Sequence, residues 1–141
     1  MARILIVDDD RSIRRTLEKF LGGEGYDVAT ASDAPTAIAA VQDTTSADAA
    51  DVILLDLGLP GGSGFDVLSS LSGAQNAPTV VVVTARDDMQ STVKAIQLGA
   101  YEYLVKPVDI DRLREVVKRA IESRAQRETL HEVAPAHHQT G

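Results

Sequence analysis

Four short apolar runs, rich in β-branched residues, each stop on polar residues. Ile4-Leu5-Ile6-Val7 ends on Asp8 and Asp9, and Val52-Ile53-Leu54-Leu55 ends on Asp56. Val80-Val81-Val82-Val83 ends on Thr84, and Tyr103-Leu104-Val105 ends on Lys106. Runs of this length, apolar at every position, read as parallel strands covered by helices on both faces. In open α/β sheets ligands are handled outside the carboxyl ends of the strands. Three acids, a hydroxyl and an ammonium therefore converge on one edge.

Helical spacing fills the intervals. Ile13, Leu17, Phe20 and Leu21 form one apolar stripe, with Arg11, Arg14, Arg15, Glu18 and Lys19 on the other face and Gly22-Gly23 ending the helix. Tyr26 to Thr30 predicts a short strand, and Asp33 caps a helix that has Pro35 in its first turn and turns Ala37, Ile38 and Val41 inward. Leu59 to Gly64 breaks the chain, and Phe65, Leu68 and Leu71 mark a third helix. Asp87 or Asp88 caps a fourth helix with Met89, Val93 and Ile96, closed by Gly99; Tyr101 to Val105 predicts the fifth strand. Asp109 caps the last helix, whose stripe is Leu113, Val116, Val117, Ala120 and Ile121. Five strands alternating with five helices predict a doubly wound parallel α/β domain. Thr44 to Ala50 reads as a loop. Residues 1–122 make the domain, and residues 123–141 a helix extension that frays from Val133 into a flexible tail or the start of a linker.

The chain has 141 residues and no cysteine, which fits one unstapled domain and excludes thiolate zinc sites and cysteine nucleophiles. With no apolar run near the ~20 residues of a membrane span and no signal peptide ahead of Ile4, a cytoplasmic protein without membrane contact is predicted. The net charge of −7, from 14 basic and 21 acidic residues, argues against direct nucleic-acid binding by this segment. Asp27, Asp33, Asp43, Asp48, Asp51, Asp66, Asp87 and Asp88 read as solvated acids at caps and loops.

Adjacent strands lie about 4.8 Å apart, close enough for Asp8 or Asp9 and Asp56 to share one ion. Two carboxylates at about 5 Å repel by roughly 3 kcal/mol at an effective dielectric near 20, so a divalent cation is the natural partner. All-oxygen ligands favour Mg²⁺ over Zn²⁺, and Mg²⁺ favours phosphate. Asp56, alone at its strand end, is then the candidate nucleophile, since carboxylates form acyl phosphates. Lys106 and Thr84 would hold the charged oxygens of the phosphoryl group. Asp10 reads as the cap of the first helix rather than a ligand.

These residues resemble the receiver domain of two-component response regulators. The resemblance rests on Ile4 to Asp10, Asp51 to Pro60 with Gly64, Val83-Thr84-Ala85, and Gly99 to Pro107, and it spans about residues 3 to 122. It implies a flavodoxin-like (βα)5 fold with strand order 2-1-3-4-5. It also implies that Asp56 accepts phosphate from a histidine kinase or a histidine phosphotransfer protein, and that Asp8, Asp9, Asp56 and the backbone carbonyl of Gly58 hold Mg²⁺. Thr84 and Lys106 match the pair that contacts the phosphoryl group, Tyr103 the aromatic that turns inward when Thr84 moves, and Lys106-Pro107 a cis peptide bond. The implied chemistry is self-phosphorylation and self-dephosphorylation only, not turnover of other molecules. Gly58 and Arg86, two residues past Asp56 and Thr84, position no hydrolytic water, which predicts slow loss of the phosphoryl group. The stretch Asp43 to Asp51 is a few residues longer than the family pattern.

The wording of Gly99 to Leu104 and Pro107 to Ile110 is similar to receivers of the nitrogen-regulatory, sigma-54-activating class, which implies a transcriptional output domain. A homodimer through the helix4-strand5-helix5 face would use Lys94, Arg112, Lys118, Arg119, Asp111 and Glu115. Arg11, Arg14, Arg15 and the Pro107 loop lie near where a kinase docks in the family. The alternatives are a stand-alone shuttle and a docking module that is never phosphorylated. A haloacid-dehalogenase-type phosphatase needs a second Asp where Gly58 stands, and a P-loop needs a lysine that Gly58 to Gly64 lacks. His131, His137 and His138 read as solvated tail residues.

Overall fold

The computed structural model describes residues 2–42, 49–74 and 76–138. Strands and helices alternate: β1 Arg3–Val7, α1 Arg11–Gly23, β2 Asp27–Ala31, α2 Ala34–Gln42, β3 Val52–Leu55, α3 Gly64–Leu71, β4 Thr79–Thr84, α4 Met89–Gln97, β5 Glu102–Val105 and α5 Ile110–His138. The five strands form one parallel sheet in the order β2-β1-β3-β4-β5, as expected from the sequence.

The two-residue period of a strand explains why the apolar runs are continuous. Leu5, Val7, Ile53, Leu55, Val80 and Val82 face one side and pack with Ala34, Ala37, Val67, Leu68 and Ala95 of α2, α3 and α4. Ile4, Ile6, Val52, Leu54, Val81 and Val83 face the other and pack with Leu21 of α1 and Leu113, Val116, Val117 and Ala120 of α5. Neither face of the central strands meets water, so no polar residue interrupts them until the strand ends.

Caps set the entry of the helices. Asp10 accepts hydrogen bonds from the Ser12 and Ile13 amides, Asp33 from Thr36, and Asp88 from Ser91. Ser63 and Asp66 close a reciprocal capping box at α3. Of the two acids proposed for α4, Asp88 is the cap.

Two strand starts shift. β2 begins at Asp27 rather than Tyr26, because the Tyr26 amide is held by the Leu21 carbonyl in the turn that ends α1. β5 begins at Glu102, one residue later than predicted. The last helix extends past Val133: α5 runs to His138, since residues 124–134 are mostly good helix formers. The predicted loop at Thr44 and its extra length lie largely outside the described residues, as does the end of the tail beyond His138.

Asp51 is not a solvated loop acid. It is half-buried, accepts the Arg3 amide at 2.8 Å, and pairs with the buried Arg124 guanidinium at 2.9 Å. Arg124 also donates to the Asn76 carbonyl, and Arg127 to the Thr79 hydroxyl. This polar seam pins α5 to the amino-terminal edge of the sheet.

Candidate functional site

The carboxyl edge gathers what the strand ends promise. Asp8 and Asp56 lie one residue past paired positions, since Val7 of β1 is level with Leu55 of β3. One carboxylate oxygen each of Asp8, Asp9 and Asp56 lies within 4.8 Å of the others. Asp8 is 3 % and Asp56 9 % exposed, whereas Asp9 is open to solvent. The cluster therefore has two sheltered acids beneath one accessible acid.

Lys106 joins the two sheltered acids. Its ammonium donates to Asp8 Oδ2 at 2.6 Å and to Asp56 Oδ2 at 3.0 Å. The backbone brings it there: Val105 pairs with Thr84, and the Lys106 amide donates to the Thr84 carbonyl at 2.8 Å. The Lys106-Pro107 peptide is cis.

Burial pushes the Asp8 carboxyl above the usual carboxylate range; hydrogen bonds from Lys106 and the Asp10 amide oppose this, and the charge of Asp56 adds to it. Burial works against the Lys106 ammonium too, but its hydrogen bonds and charge attraction to Asp8 and Asp56 outweigh it, and its pKa stands above the ordinary value. The site thus holds positive charge tightly.

The remaining oxygen of Asp56, Oδ1, accepts the Gly58 amide at 3.2 Å. Thr84 is buried at the end of β4, where its hydroxyl accepts the Arg86 amide at 3.4 Å. Tyr103 is half-buried, and its hydroxyl donates to the Arg86 carbonyl at 2.8 Å. This ties β5 to the loop after Thr84 and separates Tyr103 from Tyr101, which is exposed.

The donor set fits a hard cation. Three carboxylates meet within one ion's reach, and no cysteine exists in the chain. Asp8, Asp9 and Asp56 supply charge for a magnesium-sized ion with room for water ligands on the Asp9 side. A Cβ at Gly58, two residues past Asp56, would meet nothing within 4 Å.

Two features at this edge carry no signal in the four strand-end motifs. Gly64 opens α3 against the end of β3: a Cβ there would stand 2.4 Å from the Asp56 carbonyl oxygen and 2.8 Å from Leu57 Cα. Its amide donates to the Leu57 carbonyl, so α3 rests on the strand that presents Asp56. Arg14, read from sequence as part of a docking face, turns back and donates to the Asp8 carbonyl at 2.7 Å. A basic residue six positions past an acid marks no particular contact in sequence.

A flavodoxin-like domain with three acids and a lysine on its carboxyl edge is thus the class that fold and site define. Residues 4–118 match the response regulator receiver domain, and the chain belongs to that family. It is 43% identical over 122 residues to the alginate biosynthesis transcriptional regulatory protein AlgB of Pseudomonas aeruginosa, covering 86% of this chain and 26% of that protein. It is 37% identical over 118 residues to the DNA-binding transcriptional regulator NtrC of Salmonella typhimurium, covering 84% of this chain and 24% of that protein. The resemblance to nitrogen-regulatory receivers therefore stands, and the chain spans about a quarter of the length of these two relatives. A CheY-like receiver domain from Methanospirillum hungatei superposes with a TM-score of 0.82 at 28% identity, covering 90% of this chain and 98% of that one.

Proposed function

We propose that this receiver is a phosphorylation switch whose acceptor is Asp56. The observation that carries the reading is the Asp8–Lys106–Asp56 bridge beside the open Asp9 carboxylate. A carboxylate oxygen of Asp56 attacks the phosphorus of a phosphohistidine, the phosphorus–nitrogen bond breaks, and the imidazole leaves with its electron pair. The product is an acyl phosphate on Asp56. Lys106, freed from Asp56 Oδ2, and the Thr84 hydroxyl take hydrogen-bonding positions on the transferred group. Mg²⁺ held by Asp8, Asp9, Asp56 and the Gly58 carbonyl would supply charge neutralisation. Later hydrolysis by water returns the carboxylate, and this is the only turnover proposed; the chain is an acceptor rather than an enzyme acting on other molecules.

The switch shifts a pre-existing equilibrium: contacts that Thr84 and Lys106 make only with the phosphoryl group favour one arrangement of α4, β5 and α5, with Tyr103 reporting the position of the loop after Thr84. Output is proposed to be transcriptional and cytoplasmic, through a further domain, by analogy with AlgB and NtrC. Among the described residues no helix is long and apolar enough to cross a membrane. The donor is a histidine kinase or a histidine phosphotransfer protein. A groove of about 410 Å³ beside Lys106, lined by Ile13, Leu17, Pro107, Val108 and Leu113, offers its helix an apolar seat next to the acceptor. Dimerisation would use the α4–β5–α5 face, where Met89, Val93 and Ile96 are exposed. Several charges named for that contact are already engaged: Arg112 with Glu102, Arg119 with Glu115, Asp111 with Arg114, and Lys94 over the Phe65 ring.

The test is intact mass after incubation with acetyl phosphate, with and without Mg²⁺, for the native chain and Asp56→Asn. A Mg²⁺-dependent gain of one phosphoryl group, lost in the variant, is expected. No gain from acetyl phosphate or from a phosphorylated kinase would leave the docking-module reading in its place.

A further inference from the structure

We infer that Arg14 is a positioning residue of the metal site, acting from outside the ligand set through the Asp8–Asp9 peptide. This inference rests on the reading of Asp8, Asp9 and Asp56 as ligands.

Asp8 is constrained at every polar atom. Its amide donates to the Ala31 carbonyl at 3.1 Å, Oδ1 accepts the Asp10 amide at 2.9 Å, and Oδ2 accepts Lys106. The last group, its carbonyl oxygen, accepts the half-buried Arg14 guanidinium at 2.7 Å. That carbonyl belongs to the peptide joining Asp8 to Asp9. Its orientation sets where the Asp9 side chain leaves the backbone, and Asp9 is the exposed member of the acid cluster. Sheet pairing ends at Val7, and helix α1 begins at Arg11. The peptide lies in the gap between them, where among the described residues its carbonyl has no backbone donor. Arg14 supplies a side-chain restraint on that carbonyl from the first turn of α1, through a planar guanidinium donor. Partners of this kind behind ligands set ligand direction, and losing one typically weakens metal binding about 10- to 100-fold.

Electrostatics alone predicts the opposite sign. Removing a cation a few residues from an acidic site should draw Mg²⁺ in more tightly. The two accounts separate by direction.

The experiment is Mg²⁺ titration by calorimetry on the native chain, Arg14→Met, Arg14→Lys and, as a charge control, Lys19→Met on the exposed face of α1. Arg14→Met is expected to weaken Mg²⁺ binding by about tenfold. Arg14→Lys keeps charge and a donor and should stay near the native affinity, and Lys19→Met should match or slightly exceed it. An Arg14→Met variant that binds Mg²⁺ as well as or better than the native chain would overturn the inference. So would an Arg14→Lys variant as weak as Arg14→Met, because side-chain volume rather than the donated bond would then be responsible. Hydrogen exchange at the Asp10 amide gives a readout without metal. Its bond to Asp8 Oδ1 should open more often in Arg14→Met, with exchange several-fold faster, and unchanged exchange would refute the role of Arg14. If the native chain takes up no Mg²⁺, the metal reading fails by itself, and the Asp10 amide still decides whether Arg14 orders the peptide. Should Arg14→Met not fold, Arg14→Gln replaces it in both measurements with the same expected directions.

Discussion

Gly64→Ala probes the packing that presents Asp56. Gly64 has no left-handed backbone to protect, so the alanine meets no conformational penalty and gains up to about 1 kcal/mol by narrowing the unfolded ensemble and favouring helix. Against this stands a Cβ 2.4 Å from the Asp56 carbonyl, where ordinary contact begins at 3.4 Å. The neighbour is backbone and cannot rotate away, so α3 and the end of β3 must part by about 1 Å, the difference of those two distances. Overpacking of this kind costs about 1–3 kcal/mol, leaving a net loss near 1–2 kcal/mol and a melting temperature lower by roughly 5 °C. The functional effect should be larger. A reacting group displaced by about 1 Å can lose on the order of 100-fold in rate. Asp56 should therefore take phosphate from acetyl phosphate about a hundredfold more slowly, by intact mass against time, in a protein that is still folded by circular dichroism. A Gly64→Ala protein as stable as the native chain and phosphorylated at the native rate would show that α3 does not hold Asp56 in place.

Other outcomes follow from the remaining contacts. Arg124→Met leaves the half-buried Asp51 its Arg3 amide but removes its ion pair, and should cost roughly 1–3 kcal/mol in urea unfolding, while the Mg²⁺ response at the far edge stays intact. Saturating Mg²⁺ should raise the melting temperature by the linkage of roughly 2.7 kcal/mol at a hundred times the dissociation constant; Asp9→Asn should shrink that rise. Asp33 and Asp88 are held below the ordinary carboxyl value of 3.8 by the Thr36 and Ser91 amides. Their stabilisation is present above that value and lost as pH falls through the lower folded values, so the stability gap between the native chain and Asp88→Asn should close in acid melts. Arg86→Ala should hasten loss of label from phosphorylated Asp56 if the exposed Arg86 side chain shields the acyl phosphate, and an unchanged half-life would refute shielding.

The sequence made the site legible because its acids and lysine sit at chain positions set by local pattern. An apolar run that stops at Asp56 tells both the strand and its end, and parallel pairing does the rest, so Asp8, Asp9, Asp56 and Lys106 met as predicted. Tyr103 was distinguishable from Tyr101 only through family wording, and its bond to the Arg86 carbonyl supplies the physical difference. What stayed hidden depends on long reach. Arg124 and Asp51 lie 73 positions apart, and no periodicity couples them. Arg14 counts as one more cation on a charged face until its side chain is seen to fold back. The length of α5 was hidden for another reason: helix propensity from residue 124 onward outlasts the buried stripe.

The bridge from Lys106 to Asp8 closes a loop of 98 positions, and the one to Asp56 closes 50. Contacts of such separation form late, after the entropy of bringing distant segments together has been met. A chain emerging from the ribosome exposes its two acid-bearing strands first and its lysine near the end of the domain. A nascent chain that stops before β5 contains Asp56 but not the cation that orients it. On the proposed reading of Asp56 as acceptor, completion of the sheet would gate its chemistry, and an unfinished copy would lack the Lys106 contact beside it.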